Sequence, residues 1–272
     1  TNLKHASTAL RADSLFRLSE AEFRTVRNSA ALEHAQRAIA LYQAIGDASG
    51  SGRAHWAIAC VHHHESHIDE SLRAGRTALE LCRRAGDQYG AGNALNALAN
   101  SGTDIAERMQ QYQQASRAFE TAGYAERRSA ALGNLSLVYR DLGLYRHARR
   151  LQEETIDLNR GTGARVGLAY GLEHLLDVEM RLGALDAARL HLDEFAALVP
   201  ALGDPLMDAG LPQQRGNLAL AEGHPAAAVR HIRSGLRTIR VAGSPSAEIR
   251  AFTRIAEACL ANRDPVAALT AS

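Results

Sequence analysis

Residues 129–163 read SAALGNLSLVYRDLGLYRHARRLQEETIDLNRGTG. Taken as helix, Leu132, Leu135, Ser136 and Tyr139 fall at i, i+3, i+4 and i+7, which is one buried face. Gly143 supplies a turn. A second helix then carries Ala148, Leu151, Thr155 and Leu158 along its inner stripe, and the stretch closes on Gly161 and Gly163. Helix, glycine turn and helix make an αα-hairpin. Ala148 and Thr155 are small enough to let the two axes approach closely.

The hairpin recurs along the chain. Gly143, Gly183 and Gly223 stand 40 residues apart, with Arg263 at the next step, and Ala148, Ala188, Ala228 and Ala268 keep the same interval. So do the closing glycines Gly123, Gly163, Gly203 and Gly243, and upstream Gly46 and Gly86. The one break is from Gly86 to Gly123, an interval of 37. Because Leu95 still lies 40 after its counterpart His55, the three lost residues are expected between paired helices, at Ser101 to Arg108. A loop can lose residues there without rotating an apolar face out of register, although the hairpin would tilt locally. A period in this range marks a solenoid, in which each copy buries its face on its neighbours.

The pattern Leu132, Leu135, Ser136, Tyr139, Gly143, Tyr145, Ala148 and Thr155 resembles the tetratricopeptide repeat, and Pro200 stands where that family places its end-of-repeat proline. The resemblance covers nearly the whole chain as seven copies, the last cut short. It departs from the family in its longer period and in copies that lack the aromatic, since Glu179 and Ala219 stand where Tyr139 does. HEAT and armadillo repeats overlap in period but do not account for the glycine, aromatic and alanine spacing. The long form looks like the helical-repeat sensor regions of bacterial signal-dependent transcriptional regulators and of some nucleotide cyclases. It implies an all-α fold, a right-handed α-solenoid of about seven antiparallel helix–turn–helix repeats, here one domain over residues 1–272.

Composition agrees with helices. Hydrophobic residues make up 46% of the 272 and aromatics only 5%, which suits alanine-rich helix packing. A net charge of +1 gives no electrostatic case for nucleic acid or a membrane surface. Lys4 is the only lysine beside many arginines, a bias that points to a GC-rich coding genome. Cys60, Cys82 and Cys259 are separated and lie in expected helices, so they read as buried reduced thiols. With neither a membrane span nor a signal peptide in sight, a cytoplasmic bacterial protein is expected. The chain starts at Thr1 rather than Met and stops inside an expected helix, so we expect a piece of a longer multidomain protein.

In chain order, repeat one pairs about Ala6–Arg27 with about Ala30–Ile45, packing Leu15 and Leu18 against Ala31 and Ala38. Asp47 to Gly52, rich in glycine and serine, reads as a flexible connection. Repeat two, 53–86, uses Ile58 and Ala59 against Ser71 and Ala78, and repeat three, 88–123, uses Leu95, Leu98 and Ala99 against Ala115 and Phe119. Repeat five, 165–203, keeps Leu172, Leu175 and Leu176. In repeat six, Asp204, Pro205, Gly210 and Pro212 crowd the entrance of the first helix, which is expected to begin late, near Leu211. Pro225 and Pro265 should each open a second helix, where a first-turn proline loses no intrahelical bond. Repeat seven uses Phe252, Ile255, Ala256 and Cys259 and breaks off at Ser272.

If one face of each first helix packs inward, the face offset from it lines a concave surface. That face holds Arg53, Trp56 and His63 in repeat two, and Asn93, Asn96, Asn100 and Asp104 in repeat three. Repeat four adds Asn134, Arg140 and Asp141, repeat five Tyr170, Glu173, Asp177 and Arg181, and repeat six Gln213 and Asn217. Asparagine is both donor and acceptor, so a row of it can pair with peptide backbone, and Trp56 would be an apolar anchor. The same residues would serve equally as a solvated helix face. The carboxylate clamp of lysines and asparagines known from this family is not carried over, since no lysine is available there.

The run His62-His63-His64-Glu65-Ser66-His67 is the most unusual local feature. His63 and His67, four apart, would share a helix face, and Glu65 or Asp69 could join them around a metal. Polar residues also gather at a turn for solvation alone. No glycine-rich phosphate loop, G-x-S-x-G, H-E-x-x-H or C-x-x-C occurs, so a non-catalytic module without a cofactor is expected. The resemblance implies that it receives a protein, a peptide or a small effector, or its own fused output domain, and regulates signalling or transcription. A homodimeric or larger assembly scaffold, or a metal- or ligand-binding module centred on His62–His67, stays open beside this.

Overall fold

The computed structural model describes residues 2–241, 243 and 245–262. It divides into two compact units, Thr1–Leu135 and Ser136–Ser272. The first holds α1 (Asn2–Arg24), α2 (Asn28–Ala44), α3 (Ala48–His64), α4 (Ile68–Arg84), α5 (Gln88–Ser101) and α6 (Ile105–Ala122). The boundary falls inside α7 (Ala125–Asp141). The second continues with α8 (Tyr145–Thr162), α9 (Arg165–Arg181), α10 (Leu185–Leu198), a 3₁₀ turn at Val199–Ala201, α11 (Pro205–Ala221), α12 (Pro225–Val241) and α13 (Pro245–Ala261). No strand occurs among the described residues. Within each unit, consecutive helices joined by short turns pack on one another, as the repeat requires.

Helix ends explain the period. Gly143 adopts φ 74°, its N–H donates to Arg140 C=O at 2.9 Å, and the Leu144 N–H donates to Tyr139 C=O at 2.9 Å. That pair of bonds is a Schellman cap, which needs a left-handed residue where it turns. Gly183 repeats it, with Ala184 N–H donating to Glu179 C=O at 2.9 Å. In repeats one and two the same position holds Val26 and Ser66, both at φ 60°. Their caps form nonetheless, with Arg27 and His67 N–H donating at 2.8 Å to Glu22 and His62 C=O.

The interior matches the hairpin reading at most positions. Leu132, Leu135 and Ser136 are buried, as are Ala148, Leu151 and Thr155. The Ser136 hydroxyl donates to the Ala148 carbonyl at 3.0 Å, which explains why a small hydroxyl residue suits that position. Ser71 does the same to Ala59 at 2.8 Å.

Four expectations are corrected. Residues 48–52 are not a connection: Asp47 caps α3 by accepting from Gly50 N–H at 2.8 Å, and Gly50 and Gly52 lie within its first two turns. They are glycine because Tyr42 and Cys82 press on them, leaving no room for a Cβ. Leu18 is 48% exposed, and Phe16 and Ser19 take the interior place instead. The three-residue loss shortens a helix rather than a loop. α5 has 14 residues against 17 in α3, while Gly102 runs extended and Asp104 caps α6 through Glu107 N–H. Finally, α11 starts at Pro205, not near Leu211. Pro205 occupies the first turn, where no N–H is needed, and Pro212 is carried inside the helix against the bare backbone of Gly235. Pro225 opens α12 as expected, whereas Arg263, Pro265, Ala268 and Ser272 lie outside the described residues.

A branched side chain at a left-handed residue costs about 1–2 kcal/mol. Val26→Gly is therefore expected to raise stability by about 1 kcal/mol, read as a higher midpoint in urea followed by helical circular dichroism. An unchanged or lower midpoint would refute the strain.

Candidate binding cavities of the two units

The first unit holds a cavity of about 210 Å3. It gathers five of the expected residues, Trp56, His63, Asn93, Asn96 and Asn100, and adds Phe23, Arg24, Cys60, His64 and Arg127. Trp56 is only 6% exposed, with the Arg127 guanidinium 5.8 Å from its ring, so it forms a wall rather than a protruding anchor. The asparagine row is partly engaged within the protein. Asn100 Oδ1 accepts from the Tyr112 hydroxyl at 2.6 Å, and Asn96 Oδ1 accepts from Asn134 Nδ2 at 3.1 Å. Asn93 Nδ2 is buried and has no hydrogen-bond partner. Burial pushes the Cys60 thiol up to about 12, so it remains an unreactive thiol.

Arg53 and Asp104 do not line this cavity. Arg53 Nε donates to Asp87 at 2.6 Å and ties α3 to the cap of α5, because Asp87 also accepts from Ser49 and from Gly90 N–H. Burial opposes ionisation of Asp87, but Arg53, Gly90 N–H and Ser49 together hold its carboxyl below the usual range. Asp104 is spent on capping α6.

In the second unit a cavity of about 1140 Å3 opens along α7, α9, α11 and α13, the first helices of successive repeats. Every expected residue of repeats five and six lines it: Tyr170, Glu173, Asp177, Arg181, Gln213 and Asn217, together with Arg140 and Asp141. Asp177 is the hub of its charges, 3.2 Å from Arg181, 3.8 Å from Arg140 and 4.0 Å from Arg254. Burial raises the Glu173 carboxyl and Asp177 adds to that, while Gln214 and Arg250 oppose it. Burial, helped by Arg140, drives His174 down to about 4 against the pull of Asp177. Asn217 donates to Gln214 Oε1 at 3.3 Å, yet its own Oδ1 is buried with no partner.

Sequence reasoning missed His174, Gln214, Arg250, Arg254 and Glu257 on this wall. The last three sit four and three apart on α13, and carrying the offset-face count into the seventh copy would have found Arg250 and Glu257, with Arg254 at the position Asn134 holds in repeat four.

In repeats one and five the missing aromatic is replaced by a polar pair, while repeat six keeps a buried alanine, Ala219. Where Tyr139 stacks on His147 at 5.3 Å, Glu179 is fully buried and meets His191 Nδ1 at 2.8 Å, with Arg149 at 3.5 Å. Glu22 and His34 repeat the pair at 2.7 Å with the same spacing of 12 residues. The histidine run is also corrected. α3 ends at His64, so His63 and His67 do not share a helix face. His63 Nδ1 meets Ser101 Oγ at 3.0 Å beside the first cavity, while His67 lies beyond the turn against His62 and Glu65.

The hydrogen bond that His191 makes to the Glu179 carboxylate, with that group's charge, raises His191 above an ordinary histidine. Its share of stability is complete below about pH 6.5 and is lost as pH rises through the higher folded value. His174 has the opposite sign, since protons taken up by the unfolded chain below about 6.5 weaken folding toward pH 4. A histidine titration by NMR should therefore place His174 near 4 and His191 above the free value. Coincident titrations near 6.5 would refute both environments.

No helix among the described residues is long and apolar enough to cross a membrane. No protein-family model matches the chain, and no curated protein does. Solved structures do. Aspartyl phosphate phosphatase F from Bacillus subtilis superposes with a TM-score of 0.76 at 13% identity over 98% of this chain and 70% of that one. A signal-transduction ATPase from Pyrococcus horikoshii with a tetratricopeptide repeat sensor gives 0.74 at 11% over 96% and 41%. The apo quorum sensor NprR from B. thuringiensis gives 0.73 at 13% over 94% and 73%. At such identities the likeness speaks for architecture, and the chain has the all-α helical-repeat fold of the tetratricopeptide-like solenoids.

Proposed function

We propose that this chain is a non-catalytic interaction and sensor module whose second-unit cavity takes an extended peptide or a flexible segment of a partner protein. The cavity itself carries this reading: about 1140 Å3 exceeds what most small ligands fill, and its wall comes from the same face of four first helices. The lining suits a peptide. Gln213, Gln214 and Asn217 offer paired donors and acceptors for backbone, with Asn217 Oδ1 not satisfied internally. Arg250 and Arg254 face Glu173, Asp177 and Glu257, which favours a segment carrying both signs of charge. Structural neighbours named as a quorum sensor and as a repeat sensor add support by analogy of fold, although another bears the name of a phosphatase. Occupancy would favour one arrangement of the repeats over another and so bias a fused or associated output domain.

The first-unit residues make poorer probes. Trp56→Ala would empty a buried site at a cost of about 3–5 kcal/mol, and Asn100→Ala would strand the Tyr112 hydroxyl. The test uses the second unit. Random peptides are selected on the wild-type chain, and their affinities are compared with those for Gln213→Ala/Asn217→Ala. The variant is expected to bind at least about tenfold more weakly, or 1.4 kcal/mol, with unchanged helicity. Peptides held equally by both proteins, or selection of none, would overturn the assignment in favour of a small effector or another surface.

A further inference from the structure

We propose that His62, Glu65 and His67 form a binding site for a zinc-class divalent metal ion, at the turn between α3 and α4. The cap geometry builds it. Ser66 at φ 60° reverses the chain, and the bond from His67 N–H to His62 C=O folds the two residues together, with ring centroids 5.9 Å apart. A Schellman cap brings these two positions into contact, commonly through apolar side chains. Here both side chains are imidazoles.

Glu65 lies on the same side. Its Oε2 is 3.4 Å from His67 Nδ1 and 4.0 Å from His62 Nδ1, and one ligand atom from each of the three residues lies within 4.8 Å of the others. Tetrahedral bonds of 2.0–2.1 Å place neighbouring ligand atoms about 3.4 Å apart. One edge of the triangle already has that length, and small rotamer changes would close the others. This is the only such cluster among the described residues.

A second observation points to the ion. His62 Nδ1 is buried and has no hydrogen-bond partner. In repeats one and five the equivalent positions are Glu22 and Glu179, each answered by a histidine twelve residues on. Twelve residues after His62 stands Ala74, which offers nothing. The buried nitrogen is thus left facing a carboxylate at 4.0 Å, too far for a hydrogen bond and suitable for a shared metal. Two imidazoles and one carboxylate leave the fourth tetrahedral position to water, and His67 is 59% exposed, so the ion would exchange with solvent.

The test is direct. The chain is treated with chelator and titrated with zinc chloride by calorimetry, and in parallel with cobalt(II), whose visible bands strengthen in tetrahedral sites. One ion per chain is expected, with tetrahedral cobalt bands. His62→Ala, Glu65→Gln and His67→Ala should each weaken binding at least tenfold, while His63→Ala and His64→Ala should leave it unchanged. Should His62→Ala fail to fold, Glu65→Gln at the turn still decides the matter. No binding, octahedral cobalt, or equal losses in His63→Ala and Glu65→Gln would overturn the proposal.

Discussion

The left-handed cap that ends the first helix in repeats one, two, four, five and six is the constraint on which most of the structure depends. There the reversal within three residues turns on a left-handed residue whose N–H, with that of its successor, satisfies the last carbonyls, whereas repeat three reverses through extended Gly102 and the Asp104 cap. Where that residue is glycine, as at Gly143 and Gly183, the turn is free of strain and the next helix returns along the first. The returning helix then lies close enough for Ser136 to donate to Ala148. Among the copies that share this reversal, the fixed turn and the close packing that follows keep the geometry equivalent, and the 40-residue interval breaks at repeat three, where the reversal differs.

Variation is admitted where the cap and the small residues do not forbid it. The interior position taken by Tyr139 accepts a carboxylate in repeats one and five because a histidine on the facing helix answers it. An unpaired buried carboxylate would be costly, whereas a hydrogen-bonded pair is tolerated. Repeat two breaks this pattern with His62 and Ala74, and the polar group left over turns toward Glu65 and His67. One structural position thus serves as an aromatic stack, a carboxylate–histidine pair or, in repeat two, a histidine beside Glu65 and His67, depending on which side chains of the facing helix and turn answer it.

The cavities follow from the same geometry. First helices present the face offset from their packing stripe, and successive copies align those faces within a unit. In the second unit this collects residues from four helices into one polar, charge-mixed wall. In the first unit the corresponding face is more enclosed, because Trp56, Asn96 and Asn100 are engaged by Arg127, Asn134 and Tyr112. The polar character is shared, but the space left for a ligand differs about fivefold between the two cavities.

The sequence by itself determined the fold class, the hairpin unit, its period and the face that lines the second cavity. Helical periodicity and glycine position are properties of local backbone geometry, and both are written in residue spacing. Tertiary packing decided the rest. The glycines at 50 and 52 look like a loop until Tyr42 and Cys82 are seen pressing on them within a helix. Pro212 looks like part of a late helix entrance until α11 is seen to start at Pro205 and carry it against Gly235. Whether Arg53 faces a groove or Asp87, and whether His67 meets His63 or His62, depends on where neighbouring helices end and turn. Those are contacts between residues distant in the chain or across a left-handed reversal, which a helical count along one segment does not contain.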